Sequence, residues 1–286
     1  MTTRTRTATV LSHARPAQTA EALRALIEAA EREGVLLRFD SEETRKYGLT
    51  PRDGLVLDAP LSDDVELCVS LGGDGTILRA LRRYAGTSVP VFAVNYGEVG
   101  FLATIDPDED DDLLAAFERA LAGDFEVLTL PALALETPEG PQAAINDVAI
   151  HRRAGERVAE LAYAIDGEEA GSVRCDGLVL STPAGSTGYN LSNGGPVLVW
   201  GLDAQAVTFI APHSLHARPL VVPRGRDVSI ENRTHDVKAS VLVDGRPVGE
   251  LAGGDGVVVR LGDESSLLAH LPEATFFRRY RETFAS

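Results

Sequence analysis

One change of pattern divides this chain. Up to residue 123, apolar runs with strand spacing alternate with helical ones; beyond it the segments are short, β-branched and punctuated by turns. Alternating strands and helices dictate a parallel sheet with helices on its faces, because parallel neighbours need long crossovers. In the first part, residues 7–11, 35–39, 65–70 and 89–94 read as strands. Pro16 opens a helix through Glu33, with Ala20, Leu23, Leu26, Ile27 and Ala30 on its inner face and Gly34 at its end. Residues 107–122 read as another helix with acids in its first turn, and residues 40–60 as a polar loop with little regular structure. In the second part, strands are expected at 126–130, 132–136, 144–151, 158–165, 172–181, 206–210, 220–222, 227–231, 239–243 and 257–261. Asp166-Gly167, Asp244-Gly245 and Asp255-Gly256 read as hairpin turns. The expected architecture is an α/β Rossmann-like N-terminal domain over residues 1–123 and an antiparallel β-sandwich over residues 124–266. Residues 267–286 are expected to return to the first domain.

Two stretches carry more than fold. Gly72-Gly73-Asp74-Gly75 lies between the strand at 65–70 and a helix starting near Ile77. Glycines there let backbone approach a ligand, and the following helix N-terminus favours phosphate. An acid at the centre of a phosphate turn is repelled by the phosphate, so Asp74 is expected to work on a proton or a metal ion. A second glycine-bearing turn, residues 95–102, also falls at a strand's carboxyl end, where ligands of such sheets bind. In the second part, residues 174–196 gather small hydroxyl residues, glycines and one Tyr after a strand. Such a segment exposes backbone N–H groups and can wrap a sugar or a phosphate.

Composition narrows the partners. A net charge of −16 argues against nucleic acid and anionic membranes. Of the 27 basic residues only Lys46 and Lys238 are lysine, a pattern that suggests a salt-rich habitat, where a Debye length of about 3 Å screens self-repulsion. No apolar run is long enough to span a membrane and no signal-peptide core follows Met1, so a cytoplasmic protein is expected. Cys68 and Cys175 lie far apart without metal-ligand spacing; Cys68 is expected in the core, and neither is expected to be reactive.

With both parts read, the chain resembles the NAD kinases, which phosphorylate the 2′-hydroxyl of the adenosine ribose of NAD to make NADP. The resemblance rests on Gly72 to Gly75, the N-x-G-x-x-G-F-L stretch at 95–102, Asn146-Asp147, residues 174–195 and residues 212–220. It implies Asp74 as general base and Gly72, Gly73 and Gly75 along the nucleotide phosphates. It implies Arg79 as a ligand contact, and Asn146 with Asp147 as the pair that binds the adenosine ribose. The family usually has Glu where Asp147 stands, so the reach is one methylene shorter. Arg174 and Asp176 match positions near the nicotinamide half. Ala184, Thr187, Gly188, Tyr189, Asn190, Leu191 and Ser192 match the adenine and ribose loop, with Ala184 replacing a common hydroxyl residue and Gly188 a common Ala. Arg157 and Ala211 match further cofactor contacts, and Arg246 stands where Gln is frequent. The resemblance further implies NAD and ATP as substrates, Mg²⁺ or another divalent cation with the ATP, and a homo-oligomer, dimer or tetramer.

Three other functions compete. An NAD(P)-dependent oxidoreductase would need G-x-G-x-x-G after a strand, and residues 95–102 hold only G-x-x-G. A lipid kinase of related fold would sit poorly with the acidic surface and the lack of a basic amphipathic helix. A non-catalytic nucleotide sensor would have no use for Asp74. The P-loop pattern is absent.

Overall fold

The computed structural model describes residues 5–97, 101–103, 105, 112–153 and 155–285. The chain divides into two compact units, Met1–Thr129 with Ser266–Ser286, and Leu130–Ser265. The division falls after residue 129 rather than after Gly123. The reason is β6, which runs without a break over Glu126–Thr137, through Pro131, where two separate strands were expected.

The first unit contains β1 (Thr7–Ser12), α1 (Pro16–Glu33), β2 (Leu36–Arg38), α2 (Ser41–Tyr47), β3 (Leu55–Val56), β4 (Leu67–Leu71), α3 (Asp74–Arg83), β5 (Val91–Val94) and α4 (Leu113–Ala122). Its parallel strands lie in the order β5-β4-β1-β2-β3. The order reverses at β1, which pairs with β4 on one side and β2 on the other. Two features of α1 follow from its ends: Pro16 at the first turn and Gly34 in the left-handed conformation, φ 66°. Its buried face is Thr19, Ala22, Leu23, Leu26, Ala29 and Ala30, rotated from the expected one, so Ala20 and Ile27 lie at its margin. The stretch expected as a loop at 40–60 holds α2 and β3. Asp40 caps α2 by accepting from Glu43 N at 2.8 Å, and Gly48, φ 59°, ends it. Only Tyr47 in that helix is a large apolar residue, so apolar periodicity could not reveal it. Asp112 caps α4, accepting from Ala115 N at 2.9 Å; residues 98–100 of the second glycine-bearing turn and 107–111 of the expected helix lie outside the described residues.

The second unit takes up β6 and continues with β7 (Gly140–Ala144), β8 (Asp147–Arg152), β9 (Ala159–Ile165), β10 (Glu168–Cys175), β11 (Gly177–Ser181), a 3-10 turn (Ala184–Thr187), α5 (Tyr189–Ser192), β12 (Ala204–Ile210), β13 (Leu220–Pro223), β14 (Val228–Asn232), β15 (Ala239–Val243), β16 (Arg246–Leu251) and most of β17 (Gly256–His270). One sheet has the order β10-β9-β14-β17, with β6 on β17 and β7 on β6; the other has the order β13-β12-β11-β8-β15-β16. Val148, Ile150, Leu178 and Leu180 of the second sheet share one buried cluster with Leu161, Val228, Ile230 and Val259 of the first. The stretch expected as one strand at 172–181 is two, β10 and β11, and the chain changes sheets at Asp176. Gly177 permits the change, since a Cβ there would strike Ile150 O. Asp166-Gly167 and Asp244-Gly245 both have positive φ at each residue, as tight hairpins require. The turn before β17 is made instead by Gly254, φ 90°, with Asp255 accepting from Ala252 N.

The end of β17 belongs to the first unit, where Leu268 and Ala269 pair in parallel with Val91 and Phe92 of β5. α6 (Phe276–Phe284) follows, and Phe276 and Phe284 pack on Phe101 with ring centroids 6.1 and 5.5 Å away. Phe101 and Leu102 are core residues.

Candidate functional site

In the first unit, the reversal of strand order at β1 leaves a crevice outside the carboxyl ends of β1 and β4. A cavity of about 380 Å³ occupies it, lined by Ser12 at the end of β1, His13 and Ala14 after it, Gly73 to Thr76 and Arg79 around the start of α3, and Tyr96 and Gly97 after β5. The glycines serve different ends. A Cβ on Gly72 would meet Thr76 Oγ1 at 2.6 Å, and one on Gly73 would meet Gly97 Cα at 3.2 Å, so a side chain at either position would force its neighbours to shift. A Cβ on Gly75 meets nothing within 4 Å.

Asp74 is the carboxylate that faces this cavity among the described residues. It keeps solvent access, yet the protein around it removes enough water to push its carboxyl up to about 6. Arg79, one turn along α3, donates to Ser12 O at 3.0 Å and lies 3.5 Å from Glu43 Oε1. Glu43, only 1% exposed, accepts from Ser12 N at 2.9 Å and Ser12 Oγ at 2.5 Å, and pairs with Lys46 at 2.8 Å. This knot fixes the loop after β1 against the Asp74 turn. Sequence reasoning missed Ser12, His13, Glu43 and Lys46; the signal available was Asp40 followed three residues later by Glu43, the spacing of a helix cap.

In the second unit, Asn146 and Asp147 stand at the start of β8. Asp147 is buried, and desolvation together with the Asp244 charge pushes its carboxyl up to about 7. Asn146 Oδ1 is buried with no hydrogen-bond partner. His151, on the same face of β8 as Asp147, stacks on Tyr189 with centroids 5.4 Å apart and planes 21° from parallel. Burial lowers the His151 pKa, which favours the neutral ring. Arg152 Nε donates to Asp176 Oδ1 at 2.6 Å, and this bond holds the Asp176 carboxyl below its ordinary value. Ala211, next to β12, takes φ 43°, a conformation L-residues resist, and His213 N donates to Arg174 O at 2.7 Å. Arg174, Asp176 and Ala211 thus come together at one edge of the unit.

The segment after β11 is an ordered turn. Asn190 is completely buried: its amide donates to Ser186 O and Pro196 O, both at 2.9 Å, and accepts from Thr208 Oγ1 at 2.7 Å. Its side chain therefore holds the turn together and is not placed to touch a ligand, against the expectation. Ala184 is also buried, while Thr187 and Leu191 are half-buried and Gly188, Tyr189 and Ser192 exposed. Arg157 is exposed between β8 and β9 and is joined to none of these groups by a described bond. His151, Arg152 and Asp244 were missed; alternation along β8 from Asp147 would have pointed to His151. Both cysteines are buried, with the Cys68 thiol pushed far up and the Cys175 thiol to about 12, so both stay protonated. Among the described residues no three His, Cys, Asp or Glu side chains cluster as a metal cage, and no helix is long and apolar enough to cross a membrane.

A first unit with a crevice at a strand-order reversal and a glycine–acid turn, and a β unit bearing an amide–carboxylate pair and an aromatic stack, define the class as a nucleotide-binding protein of two units. Comparison with known proteins makes this specific. The ATP-NAD kinase N-terminal domain matches residues 40–122 and the ATP-NAD kinase C-terminal domain residues 145–271. The NAD kinase of Heliobacterium modesticaldum is 40% identical over 223 residues, covering 76% of this chain and 78% of its own. That of Gemmatimonas aurantiaca is 36% identical over 225 residues, covering 76% of each. Among solved structures, yeast NADH kinase complexed with NADH aligns with a TM-score of 0.82 at 25% identity, over 99% of this chain and 89% of that one. An NAD kinase from Archaeoglobus fulgidus in complex with ATP aligns with a TM-score of 0.73 at 25% identity, over 98% and 97%. The chain belongs to the NAD kinase family.

Proposed function

We propose that the family's reaction, transfer of the γ-phosphoryl of ATP to the 2′-hydroxyl of the adenosine ribose of NAD, runs here with Asp74 as general base. The observation that carries this reading is the Asp74 carboxyl, raised to about 6, in a cavity whose walls are a glycine turn, a helix start and Arg79. A carboxylate is a weak base for an alcohol, so its task is to take the proton as the oxygen attacks; positioning and charge neutralisation supply most of the acceleration. Gly73, Gly75 and Arg79 would face the phosphates. A divalent cation, Mg²⁺ by expectation, would enter with ATP as part of the substrate. The cavity fits such a complex, since it offers one carboxylate and leaves the other ligand positions to phosphate oxygens and water.

In the second unit, Asn146 and Asp147 would hold the adenosine ribose; the buried, unpartnered Asn146 Oδ1 is an acceptor a ribose hydroxyl could satisfy. Tyr189, already stacked on His151, would offer its ring to the adenine. Arg174, Asp176 and Ala211 would lie toward the nicotinamide half. The test is direct: purified protein with ATP, Mg²⁺ and NAD should form NADP, and no NADP at any salt concentration removes the reading. Assembly as a dimer or tetramer and a salt-rich cytoplasm belong to the same proposal. Exposed Leu215, Leu220 and Val221 on and beside the edge strand β13 are surface an assembly would bury. Light scattering checks the first, and a melting series in potassium chloride the second.

A further inference from the structure

The backbone of residues 145–147, which carries Asn146 and Asp147, is fully hydrogen-bonded. Ile145 N donates to Asp244 Oδ2 at 3.1 Å, and Asn146 N and Asp147 N donate to Asp244 Oδ1 at 2.8 and 3.2 Å. Asp244 N returns a bond to Asp147 O at 2.9 Å. On the other side, Thr182 Oγ1 donates to Ile145 O at 2.6 Å, and Thr182 N to Asn146 O at 2.9 Å. Gly185 presses so close that a Cβ would strike Asn146 O. One carboxylate, almost a hundred residues away in sequence, therefore takes every N–H of the segment. It does so from the turn between β15 and β16, with φ 45°, in a region where side-chain-bearing residues are uncommon. Asp suits the first position of such a turn for its φ alone; the three bonds across to residues 145–147 give its carboxylate a second task.

We propose that Asp244 is a positioning residue for NAD, fixing the backbone from which Asn146 and Asp147 reach the ribose. The proposal rests on the NAD kinase reading and assigns a residue to it that the reading did not contain. It has a second consequence. The groups bearing on Asp147 among the described residues are Asp244 from the β15–β16 turn and Tyr189 from α5, whose phenol is raised in part by the Asp147 charge; His151, further along the same face, stacks on Tyr189. With no cation among them, the anchoring carboxylate also makes Asp147 harder to ionise. Ionised Asp147 is the better acceptor for ribose hydroxyls, so NAD binding should strengthen as pH rises through about 7.

The experiment measures NAD binding by calorimetry from pH 5.5 to 8.5, with steady-state kinetics and amide hydrogen exchange, on wild type, Asp244→Asn, Asp147→Asn and the double variant. Asp244→Asn should weaken NAD about tenfold or more while changing the KM for ATP less than twofold. It should also move the acid limb of NAD binding to lower pH, because the neighbouring charge is gone while the burial of Asp147 remains. Asp147→Asn should abolish that limb, and adding Asp244→Asn should shift nothing further. Amides of residues 145–147 should exchange about tenfold faster in Asp244→Asn. Unchanged NAD affinity, or unchanged exchange at residues 145–147, overturns the positioning role, and an unmoved limb overturns the coupling. Should Asp244→Asn not fold, a limb that persists in Asp147→Asn overturns the coupling on its own. No NAD binding by the wild type removes the kinase reading, whereas the exchange data would still report whether Asp244 holds the segment.

Discussion

Each unit uses a carboxylate from another element to hold the backbone of its site, and the two carboxylates are treated in opposite ways. In the first unit, Glu43 binds the loop after β1 through Ser12 and has Lys46 at 2.8 Å and Arg79 at 3.5 Å. In the second, Asp244 binds residues 145–147, and its charge bears on another carboxylate, Asp147. A buried charge with cations beside it is stable only while the cations remain, so the loop it holds depends on them. A charge set beside its like transfers the strain to its neighbour, so that site titrates. Lys46 is one of only two lysines in a chain that otherwise uses arginine; a compact ammonium bonds Glu43, Ser12 O and Ser12 Oγ at once, where a planar guanidinium would not fit the same three.

The largest effect expected is on chemistry in the first unit. Asp74→Asn should lower kcat by about 10²–10⁴-fold and leave NAD affinity within a few-fold of wild type. In the wild type, kcat should rise as pH increases through about 6, where Asp74 ionises; the variant should lack that limb. Wild-type turnover in Asp74→Asn would show the base lies elsewhere. Next comes Glu43→Gln, which leaves Lys46 beside a neutral amide. Breaking such a buried pair costs about 3 kcal/mol, so the melting temperature should fall by several degrees and the KM for ATP should rise as the β1 loop loosens. Removing both partners in Glu43→Gln/Lys46→Met should recover much of the stability but not the KM. A single variant as stable as wild type would mean the compensation described here is not what holds the loop.

The glycine–acid turn was legible because a buried strand and an amphipathic helix flank it within a dozen residues. So were the change of pattern and the hairpins at Asp166 and Asp244, all local signals. Asn146, Asp147 and Tyr189 were legible only through family resemblance, since an amide and an acid at a strand start have no periodic signature. What escaped was long-range. The loop at Ser12 joins the site only because strand order reverses at β1, a property of the sheet and of no segment. Glu43 sits in a helix with almost no apolar residues, so its burial is driven by ion pairing and not by hydrophobic spacing. The break at Asp176 is hidden because strand-forming residues run on from β10 into β11 with no turn signal but Asp176-Gly177, and the close approach of Gly177 to Ile150 O shows only in the fold.

A smaller effect separates the two carboxylates thermodynamically. Asp147 carries a folded-state value of about 7 against an ordinary 3.8. Between those values the folded protein holds a proton that the unfolded chain releases, so this group's contribution to stability falls as pH rises from about 4 to 7. Asp147→Asn removes the ionisation, and should be more stable than wild type at pH 8 by up to about 4 kcal/mol. The difference should vanish below pH 4, where the acid is neutral in both states. Urea denaturation at the two pH values checks it; equal stability at pH 8 would mean that burial and the Asp244 charge do not hold Asp147 up.

The smallest effect tests whether space in the first unit is kept for a ligand. Gly75 lies in the first turn of α3, and a Cβ there touches nothing within 4 Å. Gly75→Ala should therefore gain about 0.5 kcal/mol from the lost backbone freedom of the unfolded chain. The same methyl group would enter the cavity that Asp74 and Arg79 face, so the KM for ATP should rise while that for NAD holds. A rise in stability with both KM values unchanged would place the phosphates elsewhere along the turn, and would leave Gly75 a residue without a ligand to make room for.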